Sequence, residues 1–395
     1  GRSLLRGFLN CKGAQCVAAA DAYKSRRDAA ATMMKGKAYA DFRELVDRDD
    51  IDAVVVATQD HWHVPMAMAA AKAGKDAYVE KPLGISIEQN LLCRELFREK
   101  ERIFQYGTQQ RSSRHCRFGC ELVRSGSVGK IERIEVIAPN GGAGGSTEEI
   151  PVPDDLDYDM WLGPAPEAPF TANRCNPPGT YWIYDYSIGY LGGWGAHPLD
   201  IMVWGSLDDL TGPMTVEGTG EIPAEGLYDT VYNWDMKIQM AEVEMTFKPG
   251  GDSTRFIGPD GWVEIRRGGI DTEPKSLLES KIGPDDVHLQ ESPRQDQNFV
   301  DAVDPFATVV CPGLVETEEQ AAEADKLFKT ENVVSVVYSP LAYIQSLIPM
   351  RALSRTQVPI IIWNTQQLTN WPEDADWDLV MLNSGLAGLP ETTHA

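Results

Sequence analysis

Residues 53–57, Ala-Val-Val-Val-Ala, form the run that most constrains how this chain folds. β-Branched residues fit a pleated strand. The run is followed by an Ala-rich stretch, His63 to Ala73, that reads as a helix ending at Gly74, a residue that readily caps a helix C-terminus. Asp76–Val79 is the next strand, Ile87 to Lys100 the next helix and Ile103–Tyr106 the next strand. Upstream, Cys16 to Ala20 and Ser25 to Lys35 repeat the pattern. Such βαβα alternation predicts a parallel sheet with helices on both faces.

From about Gly126 the rhythm changes. Lys130 to Ala138 alternates as a strand, and a Gly/Pro-rich stretch, Pro139 to Pro178, has little periodicity. His197 to Trp204 reads as a short helix. Segments 214–216, 234–239, 241–248, 253–257 and 262–265 read as antiparallel strands, several joined by glycine turns at Pro249–Gly251 and Pro259–Gly261. Gln295 to Val303 closes this part as a helix. The chain is thus read as α/β, in three parts. Residues 1–125 form a Rossmann domain lacking its first strand, 126–304 an α+β open-sheet domain for substrate binding and oligomerisation, and 305–395 a partial second α/β domain.

Charge narrows the partners. Of 395 residues, 59 are acidic and 36 basic, a formal net charge of -23. A phosphate backbone or an anionic membrane would repel such a chain, which argues against nucleic acid as a partner. No apolar run reaches the roughly 18 residues of a membrane span. Seven cysteines show no disulfide framework. Cys116 and Cys120 stand at helical i,i+4 spacing, open to a metal reading, but no Cys-His cluster completes a site and none is expected. The other reading is buried small residues in a reducing compartment.

A dinucleotide site needs a glycine-rich turn, a helix N-terminus for the pyrophosphate and an acidic residue after the second strand. Gly1-Arg2-Ser3-Leu4-Leu5 looks like the end of such a turn entering its helix, so the chain is expected to open inside the motif. Asp21 stands where a carboxylate would bond ribose hydroxyls, or it serves as a helix cap. A ribose role favours NAD over NADP, because a carboxylate repels a 2′-phosphate, although Lys24, Arg26 and Arg27 lie close. Strand ends of a parallel sheet face the cofactor crevice, so Thr58, Gln59, His61 and His63 are placed to line it. For the two histidines the alternative is a structural turn at a helix start.

Three blocks then follow in order: Val54 to His63 (Val-Val-Val-Ala-Thr-Gln-Asp-His-Trp-His), Ala73 to Pro82 ending in Glu-Lys-Pro, and Gly107-Thr-Gln-Gln-Arg111. Over residues 1–304 the chain resembles the Gfo/Idh/MocA oxidoreductases. That resemblance implies an NAD(P)-dependent enzyme acting on a sugar or polyol. It implies Lys81 as proton shuttle or orienter and Glu80 in the cofactor pocket; Gln109 and Arg111 either close over the nicotinamide or substrate edge or make plain structural hydrogen bonds. Family members commonly carry an aspartate four residues before a histidine. In Gly192-Gly-Trp-Gly-Ala-His-Pro-Leu-Asp200, His197 matches the histidine and Gly193 stands at the aspartate position. A mechanism requiring that aspartate is therefore in doubt. Asp200 either orients the histidine or caps the helix.

Tyr181, Trp182, Tyr184, Tyr186, Tyr190 and Trp194 crowd the preceding loop, where rings either stack on a sugar or pack the loop. Arg174 either binds a substrate carboxylate or braces that loop. Two chemistries are known on the family's scaffold, and the resemblance carries both. One is reversible hydride transfer at a hydroxyl; the other is glycoside cleavage by transient oxidation and elimination. Residues 306–395, through Cys311 to Ala321 and Val358 to Gln366, resemble the N-terminal domain of the L-fucose/L-arabinose isomerases. That family's metal-binding domains have no counterpart here, so the segment is expected to be inactive. The abrupt join at 304 and the opening inside a motif leave an inactive truncated or fused product as a further reading. A homo-oligomer is expected if the sheet faces pair. Location is open between the cytoplasm and, had a leader preceded Gly1, the periplasm.

Overall fold

A computed structural model describes residues 1–206, 213–284 and 286–303, with two short strands beyond. The chain divides into two compact units, Gly1–Pro305 and Phe306–Ala395.

The first unit begins with helix α1 (Arg2–Phe8), strand β1 (Ala18–Ala20), α2 (Lys24–Met34), β2 (Lys37–Tyr39) and α3 (Phe42–Val46). Then follow β3 (Ala53–Val56), α4 (Asp60–Lys72), β4 (Asp76–Val79), α5 (Ile87–Glu99) and β5 (Phe104–Tyr106). The expected elements are present, shifted by a few residues at their ends. Gly74 follows α4 with φ +74°, a conformation in which glycine avoids a Cβ clash. β1 pairs parallel with β2, and β3-β4-β5 form a separate parallel sheet. The doubly wound order would place one strand between these two pieces, and none of the described residues does so. The apolar faces of α4 and α5 meet the sheet through Val56, Val64, Ala67, Ala77, Val79 and Phe97, all buried.

The remainder comprises α6 (Arg114–Arg124), β6 (Arg133–Ala138), α7 (Tyr158–Leu162), α8 (Gly189–Gly193) and α9 (Ala196–Ser206). Strands β7 (Met214–Glu221), β8 (Asn233–Met240), β9 (Val243–Pro249), β10 (Ser253–Gly258), β11 (Gly261–Arg266), β12 (Gly269–Glu273) and helix α10 (Gln295–Val303) complete the unit. The sheet order is β12-β11-β10-β6-β9-β8-β7. This corrects the wholly antiparallel reading. β6 inserts between β9 and β10 and runs parallel to β9, so Pro249–Gly251 is a crossover and not a hairpin. Pro259-Asp260 is a tight hairpin turn, with Gly258 opposite Gly261. One sheet face packs on α6 and α9; Cys116 and Cys120 are fully buried there among Ile134, Phe247 and Phe256. The loops around α7 form a second core of Trp161, Phe170, Ile183, Tyr186 and Tyr228.

In the second unit, Val336–Tyr338 pairs parallel with Ile360–Ile362. The segment Cys311 to Ala321, which carries part of the resemblance to the isomerase domain, lies outside the described residues. Among the described residues, no helix is long and apolar enough to cross a membrane.

Candidate active site

β3, β4 and β5 are in register at Val56, Val79 and Tyr106, so the three segments after them leave the sheet at one edge. The ladder runs one residue further: Glu80 N donates to Val56 O (2.9 Å) and Gly107 N to Val79 O (2.8 Å). Gly107 is needed there, because a Cβ would lie 3.0 Å from Glu80 Cα and from the Tyr78 hydroxyl oxygen. Gly1 sits at the same edge, its ideal Cβ position 3.7 Å from Ala57 O. Its amino group feels the charges of Glu80, Asp21 and Arg26. Glu80, which follows β4, and the α1 N-terminus lie at the carboxyl ends of the strands, where a doubly wound sheet holds its ligand. Arg2 opens α1 and is exposed; Thr58 Oγ1 donates to Gln59 O (3.3 Å) at the end of β3. Asp21 accepts from Tyr23 N (2.8 Å), and burial holds its carboxyl above the usual range.

Lys81 extends from the turn after β4, and its Nζ donates to Gly193 O (2.9 Å). His197 lies in the first turn of α9, 3% exposed, with Nδ1 unpartnered among the described residues. Burial, then the positive charges of Lys81 and Arg267, push the His197 imidazole down to about 3. It is therefore a neutral ring near neutral pH, close to the one lysine expected to do chemistry. A Cβ at Gly193 would meet nothing within 4 Å, so a side chain fits where the family commonly has its aspartate. Gly193→Asp is expected to fold with a stability change under about 1 kcal/mol; urea denaturation checks this.

Several expected ligand-binding side chains have other partners. His63 is buried with Nδ1 2.7 Å from Pro82 O and Nε2 3.2 Å from Thr58 O. Both ring nitrogens are taken up by backbone carbonyls, so His63 anchors the Lys81 turn instead of lining the crevice. His61 Nε2 lies 3.1 Å from Leu162 O and 3.3 Å from Trp161 O, joining α4 to the substrate-side loop. Its imidazole is pushed down to about 4 by burial. Arg111 makes two hydrogen bonds to Asp200 (2.8 and 2.7 Å) and lies over Trp204, the structural alternative for Arg111, and Asp200 is bonded to Arg111 and not to His197. Arg174 is buried, donating to Pro169 O and the Tyr186 hydroxyl (2.9 Å each), which braces the loop. Trp182 packs against Tyr190 and Tyr228. Tyr181 and Tyr184 remain exposed; Trp194 lies between Tyr190 and His197. Gln109 keeps a buried Oε1, unpartnered among the described residues.

Asp60, Ser187 and Arg267 escaped sequence reading. Asp60 stands inside a quoted block, yet an aspartate at a helix start has an ordinary reading there. Arg267 comes from the β11–β12 turn, its guanidinium 5.1 Å from the Trp194 ring centroid, and no local pattern marks it. Among the described residues, no group of three or more His, Cys, Asp or Glu could hold a metal ion.

Residues 1–108 match the model of the oxidoreductase family, NAD-binding Rossmann fold, under the name Gfo/Idh/MocA, and 142–246 match that family's C-terminal alpha/beta domain. The solved WlbA dehydrogenase from Chromobacterium violaceum, in complex with NADH and UDP-GlcNAcA, shares the fold at TM-score 0.56 and 14% identity, over 78% of this chain and 85% of that one. Myo-inositol 2-dehydrogenase from Lactobacillus plantarum does so at 0.51 and 19%, over 77% and 84%. An alpha-N-acetylgalactosaminidase of Shewanella oneidensis is 48% identical over 48 residues, 12% of this chain and 10% of that protein. The matched stretch thus spans about a tenth of these curated relatives.

Proposed function

Since this chain belongs to the Gfo/Idh/MocA oxidoreductase family, we propose that it oxidises or reduces a sugar or polyol hydroxyl with a nicotinamide dinucleotide, NAD in preference to NADP. One observation carries the reading. The Lys81 ammonium donates to Gly193 O, four residues before a buried, neutral His197 whose Nδ1 is unpartnered among the described residues.

The residues present fit the cofactor. Asp21 offers a desolvated carboxylate after β1, Thr58 and Glu80 offer polar groups after β3 and β4, and Gln109 Oε1 is buried without a partner among the described residues. When bound, the dinucleotide supplies the hydride acceptor or donor. The chain's own residues deal with the proton. An ammonium has three N–H donors and only one is used on Gly193 O, so Lys81 can place another at the substrate oxygen. His197 enters neutral and can accept the hydroxyl's hydrogen bond. Tyr181, exposed, and Trp194, packed beside His197, would offer faces for a sugar ring. The preference for NAD rests on Asp21, whose charge opposes a 2′-phosphate.

Titration calorimetry of the whole chain with NAD and NADP tests the cofactor, with turnover measured on sugars and polyols. Saturable NAD binding, tighter than NADP by about tenfold or more, is the expected result; absence of binding to either overturns the proposal. A second reading, NAD-dependent glycosidase, is favoured by the 48-residue likeness to alpha-N-acetylgalactosaminidase. It is distinguished by p-nitrophenol release from aryl glycosides without net NADH.

A further inference from the structure

Arg267 stands on the short turn between β11 and β12 and takes no part in the chemistry given to Lys81 and His197. Among the described residues its only hydrogen bond runs from Nε to Asp252 Oδ2 at 3.3 Å, so both terminal amino groups of the guanidinium lack a partner there. The guanidinium lies over the Trp194 ring, 5.1 Å from its centroid. The His197 ring stands near-perpendicular to the same indole, 6.1 Å away between centroids. Trp194 directly follows Gly193, whose carbonyl takes the Lys81 ammonium. Tyr190 lies 5.8 Å from Trp194, and Tyr181 6.1 Å from Tyr190, so a strip of rings runs from the exposed Tyr181 to Arg267. Two cations thus touch the segment 193–194 just before His197. Burial first, and then these two charges, hold the His197 imidazole below its ordinary range.

We propose that Arg267 is a specificity-determining residue that receives the carboxylate of a sugar acid whose hydroxyl Lys81 and His197 handle. This role rests on the oxidoreductase reading and narrows its substrate from sugars at large to acidic ones. A planar guanidinium with both terminal amino groups unpaired matches a carboxylate through two parallel N–H···O bonds. The stack on Trp194 holds that fork in one place. The charges favour a monoanion, because Lys81 and Arg267 supply two positive charges and Asp252 takes back one. A neutral sugar needs no second cation there. The chain carries a formal net charge of -23, so an anion meets general repulsion, and a preference for an acid over its neutral sugar has to come from a local site. Arg174, a candidate for a carboxylate by sequence position, is buried and spent on Pro169 O and Tyr186. The competing role for Arg267 is an ion pair that only ties its turn to Asp252, the residue before β10.

The test is titration calorimetry of the whole chain at one ionic strength, wild type against Arg267→Gln. The probes are D-glucuronate and D-galacturonate, each beside its neutral sugar, D-glucose or D-galactose. The wild type is expected to bind at least one uronate about tenfold or more tightly than its neutral sugar. Arg267→Gln is expected to weaken that uronate by about 10–100-fold and to leave neutral sugars and the unfolding temperature unchanged. Wild-type protein that holds neither uronate better than its neutral sugar overturns the proposal, as does a folded Arg267→Gln that keeps its uronate affinity. Glucose 6-phosphate runs alongside, and binding tighter than that of both uronates overturns the carboxylate assignment. Should Arg267→Gln fail to fold, Asp252→Asn decides. Removal of the competing carboxylate should tighten uronate binding by about 2–5-fold, whereas a merely structural pair leaves it unchanged and overturns the proposal. NAD titration of the same proteins keeps the readings apart. Uronate binding that depends on Arg267, without NAD binding, leaves the acid site standing and removes the oxidoreductase reading; NAD binding with acid and neutral sugars held alike does the reverse.

Discussion

Lys81→Ala is expected to lower kcat by about 10²–10⁴-fold, the range of a lost proton-transfer group. KM for NAD should change little. The backbone of the Glu80-Lys81-Pro82 turn is held by Glu80 N on Val56 O and by His63 on Pro82 O, and neither contact involves the lysine side chain. The substitution therefore removes the ammonium and leaves the crevice shaped. It also removes a donor from Gly193 O, at the end of a short helix. Steady-state kinetics on the best substrate of the panel, with calorimetric NAD affinity alongside, gives the answer. Retention of most of the wild-type kcat would remove Lys81 from the chemistry. Partial rescue by small primary amines would show that the lost group is the amine itself.

The second large effect is on stability in acid. Folding holds the His61 imidazole down at about 4 and that of His197 at about 3, from an ordinary value of 6.5, mainly through burial. A base whose range is depressed on folding contributes stability that is present in full above the unfolded value and is lost as pH falls toward the folded one. The window therefore runs from about 6.5 down to about 3–4, and at about pH 4.5 each ring costs on the order of 3 kcal/mol. Asp60 and Asp21, both raised by burial, act in the opposite sense over part of that window. The contribution of one histidine is isolated by comparing urea midpoints of the wild type and His61→Gln at neutral and acid pH. His61→Gln should be the less stable protein near neutrality and should lose less on acidification. Equal acid sensitivity of the two proteins would show that His61 is not buried as a neutral ring. The expected casualty is the joint between α4 and the loop around α7, because His61 reaches across it to Trp161 O and Leu162 O.

Local periodicity was enough to read the βαβα start and to place Lys81, Thr58 and Gln109 at strand ends. In a parallel sheet every strand exits at the same edge, so sequence position after a strand already implies position in the crevice. The family blocks added the role proposed for Lys81, and the glycine at 193 was visible as a departure. What could not be read was partnership. β6 lies between β9 and β10, although more than a hundred residues separate it from either, and its parallel pairing with β9 has no local signature. Arg174 could have reached a substrate and instead bonds Pro169 O and Tyr186; Asp200 could have reached His197 and instead holds Arg111. His63, a candidate cofactor ligand by sequence position, anchors Pro82. Asp60 looked like an ordinary helix start until Ser187, 127 residues away, was found bonded to it. Residue order determines which side chains reach the strand-end crevice, because chain direction and strand register are local properties. Which of them are left free to act there is decided by long-range packing, since a side chain's hydrogen-bond partner is whatever the fold brings within about 3 Å.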